Sequence, residues 1–297
     1  TYSVVSDASN GSTSISGATL TYTANQDWNG TETITYKAND GTVDSNTSTV
    51  TVTVSSVIDK AALSFDGQND YVSIPEDNSS GSLDLTFMSF QAWVKPASGS
   101  TDYLRIVDRN IDGNPGAHDR WLIAYDPSEK IQLNVGVKNY QTGAVTTYAV
   151  TGNTALTQDS WTHVVVTVGS GGAGKIYLNG SVDLTFDLGD NTNVDLGHVT
   201  DGGLHIGSEY NGGGTFFNGQ LDELVLWDDV LSDAEVTALY NSGNGLSPLS
   251  NSGDYQGSGD IRGYWKFDDT VTDSSSKGND GTLGGATYIY TNLPTTY

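Results

Sequence analysis

The chain has no cysteine among its 297 residues and one methionine. The missing thiols exclude a disulfide framework, zinc–thiolate sites and cysteine nucleophiles. They do not exclude secretion; stability then has to come from core area, with bound ions as a second source. Positive charge is scarce: 12 Lys and Arg stand against 36 Asp and Glu, a formal charge of −24. There is no basic surface to neutralise phosphates, which argues against nucleic acid and anionic lipid as partners. No apolar run reaches the roughly eighteen residues of a membrane span, and no signal peptide is visible. Glutamate is rare as well, with six against 30 aspartates. Glu suits helices, whereas Asp suits turns and short-armed oxygen sites for hard cations.

What is present is glycine, at 36 residues, with runs of Ser, Thr and Asn and several Val/Thr alternations. This is an all-β composition. The chain opens at Thr1-Tyr2-Ser3-Val4-Val5 as if in mid-strand and reads as a piece of a longer protein. Residues 1–57 form a first unit. Period-two alternation marks Leu20–Tyr22, Ile34–Ala38 and Val50–Val54, and turns are expected at Asn10-Gly11, Asn29-Gly30 and Asp40-Gly41. Short strands at even spacing predict a small sandwich.

Residues 58–297 form the second unit. Strands are expected at Ala62–Phe65, Tyr71–Ile74, Phe90–Val94, Leu104–Val107, Trp121–Tyr125, Ile131–Val137 and Thr147–Val150. Further ones are expected at His163–Val168, Lys175–Leu178, Leu204–Ile206, Leu221–Trp227 and Gly263–Phe267. In Ile131, Leu133, Val135 and Val137 the alternation is strict, with Gln132, Asn134 and Lys138 facing away. This pattern predicts two antiparallel sheets packed face to face. One short helix follows Ser232, with Glu235 completing a capping box, Val236, Leu239 and Tyr240 as its apolar stripe, and Gly243 as its end. Strict alternation puts Asp222 on the face of Leu224 and Leu226, and Glu223 on the face of Val225 and Trp227. Both faces are apolar, so at least one carboxylate is aimed inward and must be protonated, paired or metal-bound.

Two resemblances follow. SGATLTYTANQDWNGTETITYKANDGTVDSNTSTVTVTV resembles the cadherin-like, immunoglobulin-like repeats of large bacterial surface proteins, shortened here to a partial sandwich. ALSFDGQNDYVSIP, SFQAWVKP, WTHVVVTVGSGGAGKIYLNGSVD, LHIGSEYNGGGTFFNGQLDELVLWDDVLSDAEVTALYNSG and GYWKFDDTVTDSSSKGNDGTLGGA resemble laminin-G-like and pentraxin-like domains of the concanavalin A-like superfamily. The resemblance implies a two-sheet jelly-roll sandwich with one short helix. In that family the GYWKFDD-type block usually comes first; here it comes last, so it either folds back to complete the same sandwich, which is the expectation, or begins a next repeat.

The resemblance also implies a metal where the inner strands meet. Asp222 and Asp269, with Asp273 and Asp280 from the loop DSSSKGND, are the expected Ca2+ ligands. The alternative is that Asp222 caps a turn and Asp269 is solvated. A second set, Asp108, Asn110, Asp112, Asn114, His118 and Trp121, crowds the loop VDRNIDGNPGAHDRW with oxygens and a stacking face. With Tyr210 and Asn211 it is a candidate ligand-binding rim for sugar hydroxyls. Turn formation with Trp121 in the core explains most of these residues equally well. No Glu-x-Asp-x-Glu, His-Glu-x-x-His or Gly-x-Ser-x-Gly run is present, so no catalytic residue is assigned.

The expectation is an extracellular, secreted or surface-attached recognition module of a longer multidomain chain, calcium-stabilised and not an enzyme. Its partner would be a glycan or cell-surface protein, bound in adhesion. The alternatives are a carbohydrate-active enzyme on the same fold and a structural repeat without a ligand.

Overall fold

The computed structural model describes residues 1–25, 28, 30–54, 61–75, 83, 85–100, 102–109, 121–138, 145–169, 171–189, 203–209 and 214–290. It divides into two compact units, Thr1–Ile58 and Asp59–Thr296. Among the described residues no helix is long and apolar enough to cross a membrane.

The first unit holds β1 (Tyr2–Ser6), β2 (Gly11–Ser16), β3 (Thr19–Ala24), β4 (Gly30–Ala38) and β5 (Ser48–Val54). β4 is the middle strand of a β1-β4-β5 sheet, and β2 and β3 form a separate hairpin. Ile34 is its fully buried side chain. A cleft of about 240 Å³ is lined by Tyr2, Ile15, Ala18, Leu20, Tyr36 and Val50. Glu32, on β4, is buried and accepts bonds from the Ser9 N–H (3.1 Å), the Asn10 N–H (2.8 Å) and Asn10 Nδ2 (3.2 Å). The Ser9 bond is the largest influence, burial opposes it and the Asn10 bonds add to it; the carboxyl lies below its ordinary value.

The second unit begins with β6 (Ala62–Asp66), β7 (Tyr71–Ile74), β8 (Met88–Pro96), β9 (Leu104–Arg109), β10 (Trp121–Tyr125), β11 (Lys130–Lys138) and β12 (Val145–Ala155). It continues with β13 (Thr162–Val168), β14 (Ala173–Leu178), β15 (Ser181–Asp187), β16 (Leu204–Ile206) and β17 (Asn218–Trp227). After the helix α1 (Asp233–Tyr240) come β18 (Ile261–Trp265), β19 (Thr282–Gly284) and β20 (Thr287–Ile289). One sheet has the order β12-β11-β10-β9-β16-β7-β19; the other has β15-β14-β13-β8-β17-β6-β20, with β18 beside β17. Between them lies one apolar core. Phe90, Val94, Val164, Val166, Leu221 and Leu226 reach it from the second sheet, and Trp121, Ile123, Leu133, Val135, Leu204 and Ile206 from the first.

The C-terminal block completes this sandwich: β18 pairs with β17, β19 with β7 and β20 with β6. β6 pairs with the first half of β17 and β18 with the second half, so two strands lie end to end along one flank of β17. Asp273 fastens the following loop to β18. Its Oδ1 accepts from the Tyr264 N–H (2.9 Å) and the Ser275 N–H (2.8 Å), and its Oδ2 from the Asn279 N–H (2.9 Å) and Ser275 Oγ (2.8 Å).

The outward face of the β8/β13/β17 sheet is also covered. Val165, Tyr177, Val225, Trp227 and Tyr264 pack with Val236 and Leu239 of α1 and with Leu231, Tyr255 and Ile261. The capping box on Ser232 and Glu235 is formed, but the helix ends at Tyr240 with Asn241 in the left-handed region (φ 47°), earlier than the expected Gly243. On the same face His163 is fully buried, 5.2 Å from the Trp93 ring and 5.7 Å from the Tyr240 ring. Among the described residues neither imidazole nitrogen has a hydrogen-bond partner. Burial alone pushes its pKa down to about 3.

Two tests follow from these contacts. The unfolded His163 takes a proton near its ordinary pKa, whereas the folded one does so only near 3. Its contribution is therefore complete above the unfolded value and is lost, by up to about 1.4 kcal/mol per pH unit, as pH falls through that window. His163→Phe is expected to shrink the drop in melting temperature between about pH 7 and pH 5; an unchanged drop sinks this assignment. Asp273→Ala removes four bonds to one carboxylate. It is expected to cost about 2–4 kcal/mol in denaturant unfolding, because hydrogen bonds to charged acceptors are the strong ones. A loss below about 1 kcal/mol would show that the loop closes without it.

Candidate functional site

On the sheet built around β9, β10 and β11 the outward face is polar, and a register shift decides which residues occupy it. Val107 opposes Ile123 and Arg105 opposes Ala124, so Ile106 is an extra residue in β9. Such a bulge reverses the alternation beyond it. Leu104, Ile106 and Val107 all enter the core, and Arg105 and Asp108 emerge on the same outward face. Without the extra residue a spacing of three would place them on opposite faces.

Two transverse rows run across this face. One joins Thr282, Ser73, His205, Asp108, Leu122, Asn134 and Ala149, a residue from each of the seven strands. The other joins Arg105, Ala124, Gln132 and Thr151. Arg105 Nε lies 3.1 Å from Asp108 Oδ2, with the aspartate side chain 1% exposed and the arginine 13%. The guanidinium sits 4.9 Å over the Tyr103 ring. Asn134 Nδ2 donates to the Tyr103 hydroxyl and to Gln132 Oε1 (3.1 Å). Gln132 Nε2 donates in turn to Thr151 Oγ1 (2.7 Å). A continuous polar network therefore spans β9 to β12 over buried Leu122 and Ala124. Arg105 and Gln132 stand two strand spacings apart, about 9.6 Å.

Farther along the first row the His205 ring stacks on Tyr71 at 6.1 Å and 26°. Ser73 Oγ is 3.5 Å from His205 Nε2. Burial holds the His205 pKa below its ordinary value, so the ring is neutral at neutral pH. Burial also pushes the Tyr103 phenol up, opposed by the Arg105 charge and hydrogen bond. The face thus presents amides, hydroxyls and one matched ion pair over an apolar floor. Such a surface can exchange hydrogen bonds with a hydroxylated ligand whose apolar side lies on the floor.

Among the residues expected from sequence, Asp108 lies on this face. Asn110, Asp112, Asn114 and His118 lie outside the described residues, as do Tyr210 and Asn211. Trp121 requires correction as a stacking surface: it opposes Arg109 and Val135, points into the inter-sheet core and is fully buried. Arg105, Tyr103 and Thr151 were missed, although the outward parity of Gln132 and Asn134 was readable. The signal for Arg105 was hidden by the bulge.

The four expected metal ligands are placed separately. Val225 opposes Gln91 while Asp222 opposes Trp93, so β17 also carries an extra residue, with Glu223 at φ 50°. This corrects the simple alternation: Leu221, Leu224 and Leu226 share the core, and Asp222 lies with Trp93 on the opposite face, fully buried. Asp222 Oδ1 accepts from the Glu223 N–H at 3.0 Å, and Glu223 accepts from the Tyr264 hydroxyl. Asp269 does not point inward. β18 ends at Trp265, Phe267 and Asp269 take positive φ, and Asp269 is exposed with Tyr290 donating to it at 2.5 Å. The oxygens of Asp273 are taken up by N–H and O–H donors, and exposed Asp280 accepts from the Asp273 N–H at 2.9 Å. Among the described residues no group of three or more His, Cys, Asp or Glu could hold a metal ion, so these four do not fit one calcium cage.

Residues 66–237 match the family model of the concanavalin A-like lectin/glucanases superfamily, and residues 1–53 match that of a bacterial Ig domain. No curated protein matches the sequence. Among solved structures, a Bacteroides ovatus ATCC 8483 protein assigned to carbohydrate binding aligns at TM-score 0.58 and 16% identity. That alignment covers 89% of this chain and 70% of that one. The heptameric SAP-like pentraxin of Limulus polyphemus aligns at TM-score 0.50 and 17% identity, over 81% of this chain and 100% of that one. At these identities the likeness is one of fold.

Proposed function

The chain belongs to the concanavalin A-like lectin/glucanase superfamily, and on that footing we propose that its large unit is a carbohydrate-recognition module. The glycan lies on the outward face of the seven-stranded sheet. The observation that carries this reading is the hydrogen-bonded network Tyr103–Asn134–Gln132–Thr151, with Arg105 laid over the Tyr103 ring, above Leu122 and Ala124. A polar network laid across four strands has its donors and acceptors fixed before a ligand arrives, which lowers the entropic cost of binding. The assignment of the Bacteroides ovatus neighbour to carbohydrate binding points the same way.

The module binds without breaking bonds. Asp108 is the single carboxylate among the described strand residues of this face. Glycoside hydrolysis ordinarily needs two carboxyls flanking one bond. The bacterial Ig match at residues 1–53 supports placing the module outside the cell, in a larger secreted or surface-attached protein that serves adhesion.

Calcium stabilisation is part of the proposal on composition, through oxygens other than a cage of the four aspartates. Thirty aspartates against six glutamates is its support.

A glycan array followed by calorimetry tests the binding. Gln132→Ala and Asn134→Ala should each weaken the best glycan about tenfold, the cost of one lost hydrogen-bonding group, with melting temperature changed by less than about 4 °C. A folded protein that binds no glycan on the array removes this function. For calcium, a chelator should lower the melting temperature by mass action; a melt indifferent to both chelator and added calcium rejects it.

A further inference from the structure

We propose that the ligand is an uncharged glycan, recognised through the Arg105–Asp108 pair acting as one neutral donor–acceptor unit. This rests on the reading of that face as the sugar site. The cation of the two rows is Arg105, and its charge is matched by Asp108 at 3.1 Å within the same bulged strand. The arginine is held over Tyr103 at 4.9 Å and keeps an exposed edge, whereas the aspartate beneath it is nearly inaccessible. The pair therefore presents oriented N–H groups with a carboxylate directly beside them. The remaining partners are neutral: the amides of Gln132 and Asn134, the hydroxyls of Tyr103, Thr151 and Ser73, and His205, which burial keeps unprotonated.

Within the two rows an anionic sugar would meet no cation other than Arg105, and it would approach a chain of formal charge −24. A carboxylate taken from water needs a cation to offset its desolvation. The only cation offered by these rows already has a carboxylate partner, which a ligand would have to displace. Neutral hydroxyls meet no such competition, because they accept from the guanidinium edge and donate to the amide oxygens without disturbing the pair.

The test uses the full chain and matched probes. These are lactose against sialyllactose, methyl-esterified against free oligogalacturonate, and xylo-oligosaccharides without and with a glucuronate branch. The expected result is tighter binding of the neutral member in every pair that binds. Its Kd should change by less than about twofold between about 20 mM and about 500 mM salt. Tighter binding of an acidic member, with affinity falling steeply as salt rises, overturns the inference and leaves the sugar-binding reading intact. Binding of neither member of any pair overturns both.

Asp108→Asn is an independent arm, since it unmasks the Arg105 charge. The variant should shift preference toward the acidic member by about tenfold and become salt-dependent. A folded Asp108→Asn protein with unchanged preference overturns the role given to the pair. If this variant does not fold, Arg105→Gln replaces it: loss of neutral-sugar affinity supports the assignment, and unchanged affinity overturns it.

Discussion

The pleat of a β-strand sends successive side chains to opposite faces, and the large unit depends on where that rule is kept and where it is broken. In β10 and β11 it is kept: Ile123, Leu133 and Val135 fill the core while Leu122, Ala124, Gln132 and Asn134 face out. In β9 and β17 it is broken once each by an extra residue. Both breaks lie beside acidic side chains. The first turns Asp108 onto the face of Arg105. The second lets Leu221 and Leu224 share the core and leaves Asp222 on the other side. Bulges re-aim side chains in this way without interrupting the sheet.

The acidic excess is handled mainly by the backbone. Twelve Lys and Arg cannot pair with 36 acids, and N–H groups take much of the load. Asp273 collects three of them, Glu32 two, and Asp126 accepts from Ser128 (2.9 Å) and Lys130 (3.0 Å). Asp40 closes its turn through Thr42 and Val43. Asp183, on the edge strand β15, accepts from the Asn153 N–H of the edge strand β12 at 2.7 Å. A short carboxylate reaches a nearby N–H with little entropy lost, whereas glutamate carries a further rotor. Part of the preference for Asp over Glu thus serves loops and sheet edges in this chain.

Much of this is legible in the sequence. Tyr71–Ile74, Trp121–Tyr125 and Leu204–Ile206 are strands at the expected bounds, because their apolar content and flanking turns leave little choice. β15 was missed despite alternating Val182, Leu184 and Phe186. β19 and β20 have three residues each, too few to carry a period, and exist because β7 and β6 offer an edge. The bulges were illegible for a physical reason. Neither Ile106 nor Glu223 is a glycine, so nothing in the residue type announces the extra position. Two errors about the sites descend from this. Asp222 was assigned to the face of Leu224, and Arg105 was never set beside Asp108. Trp121 shows the complementary failure, since a large aromatic at the end of an oxygen-rich loop fits a sugar platform and a core anchor equally well. Only the partners across the strand, Arg109 and Val135, decide between them.

Charge acts on this molecule at two ranges, and they select in the same direction. At long range a formal charge of −24 repels polyanions, but salt confines that field to about 8 Å from the surface under physiological conditions. Within that distance selection passes to individual side chains. There a lone arginine would have reversed the preference, drawing in carboxylates against the background field. Pairing it with the nearly buried Asp108 removes that attraction while keeping the planar, multi-donor geometry that makes arginine useful. A lysine at the same place would present a compact, strongly hydrated charge that cannot stack flat over Tyr103. The identity of residue 105, the bulge that turns Asp108 toward it and the ring beneath it are therefore a single device, and altering any one changes what the other two present to a ligand.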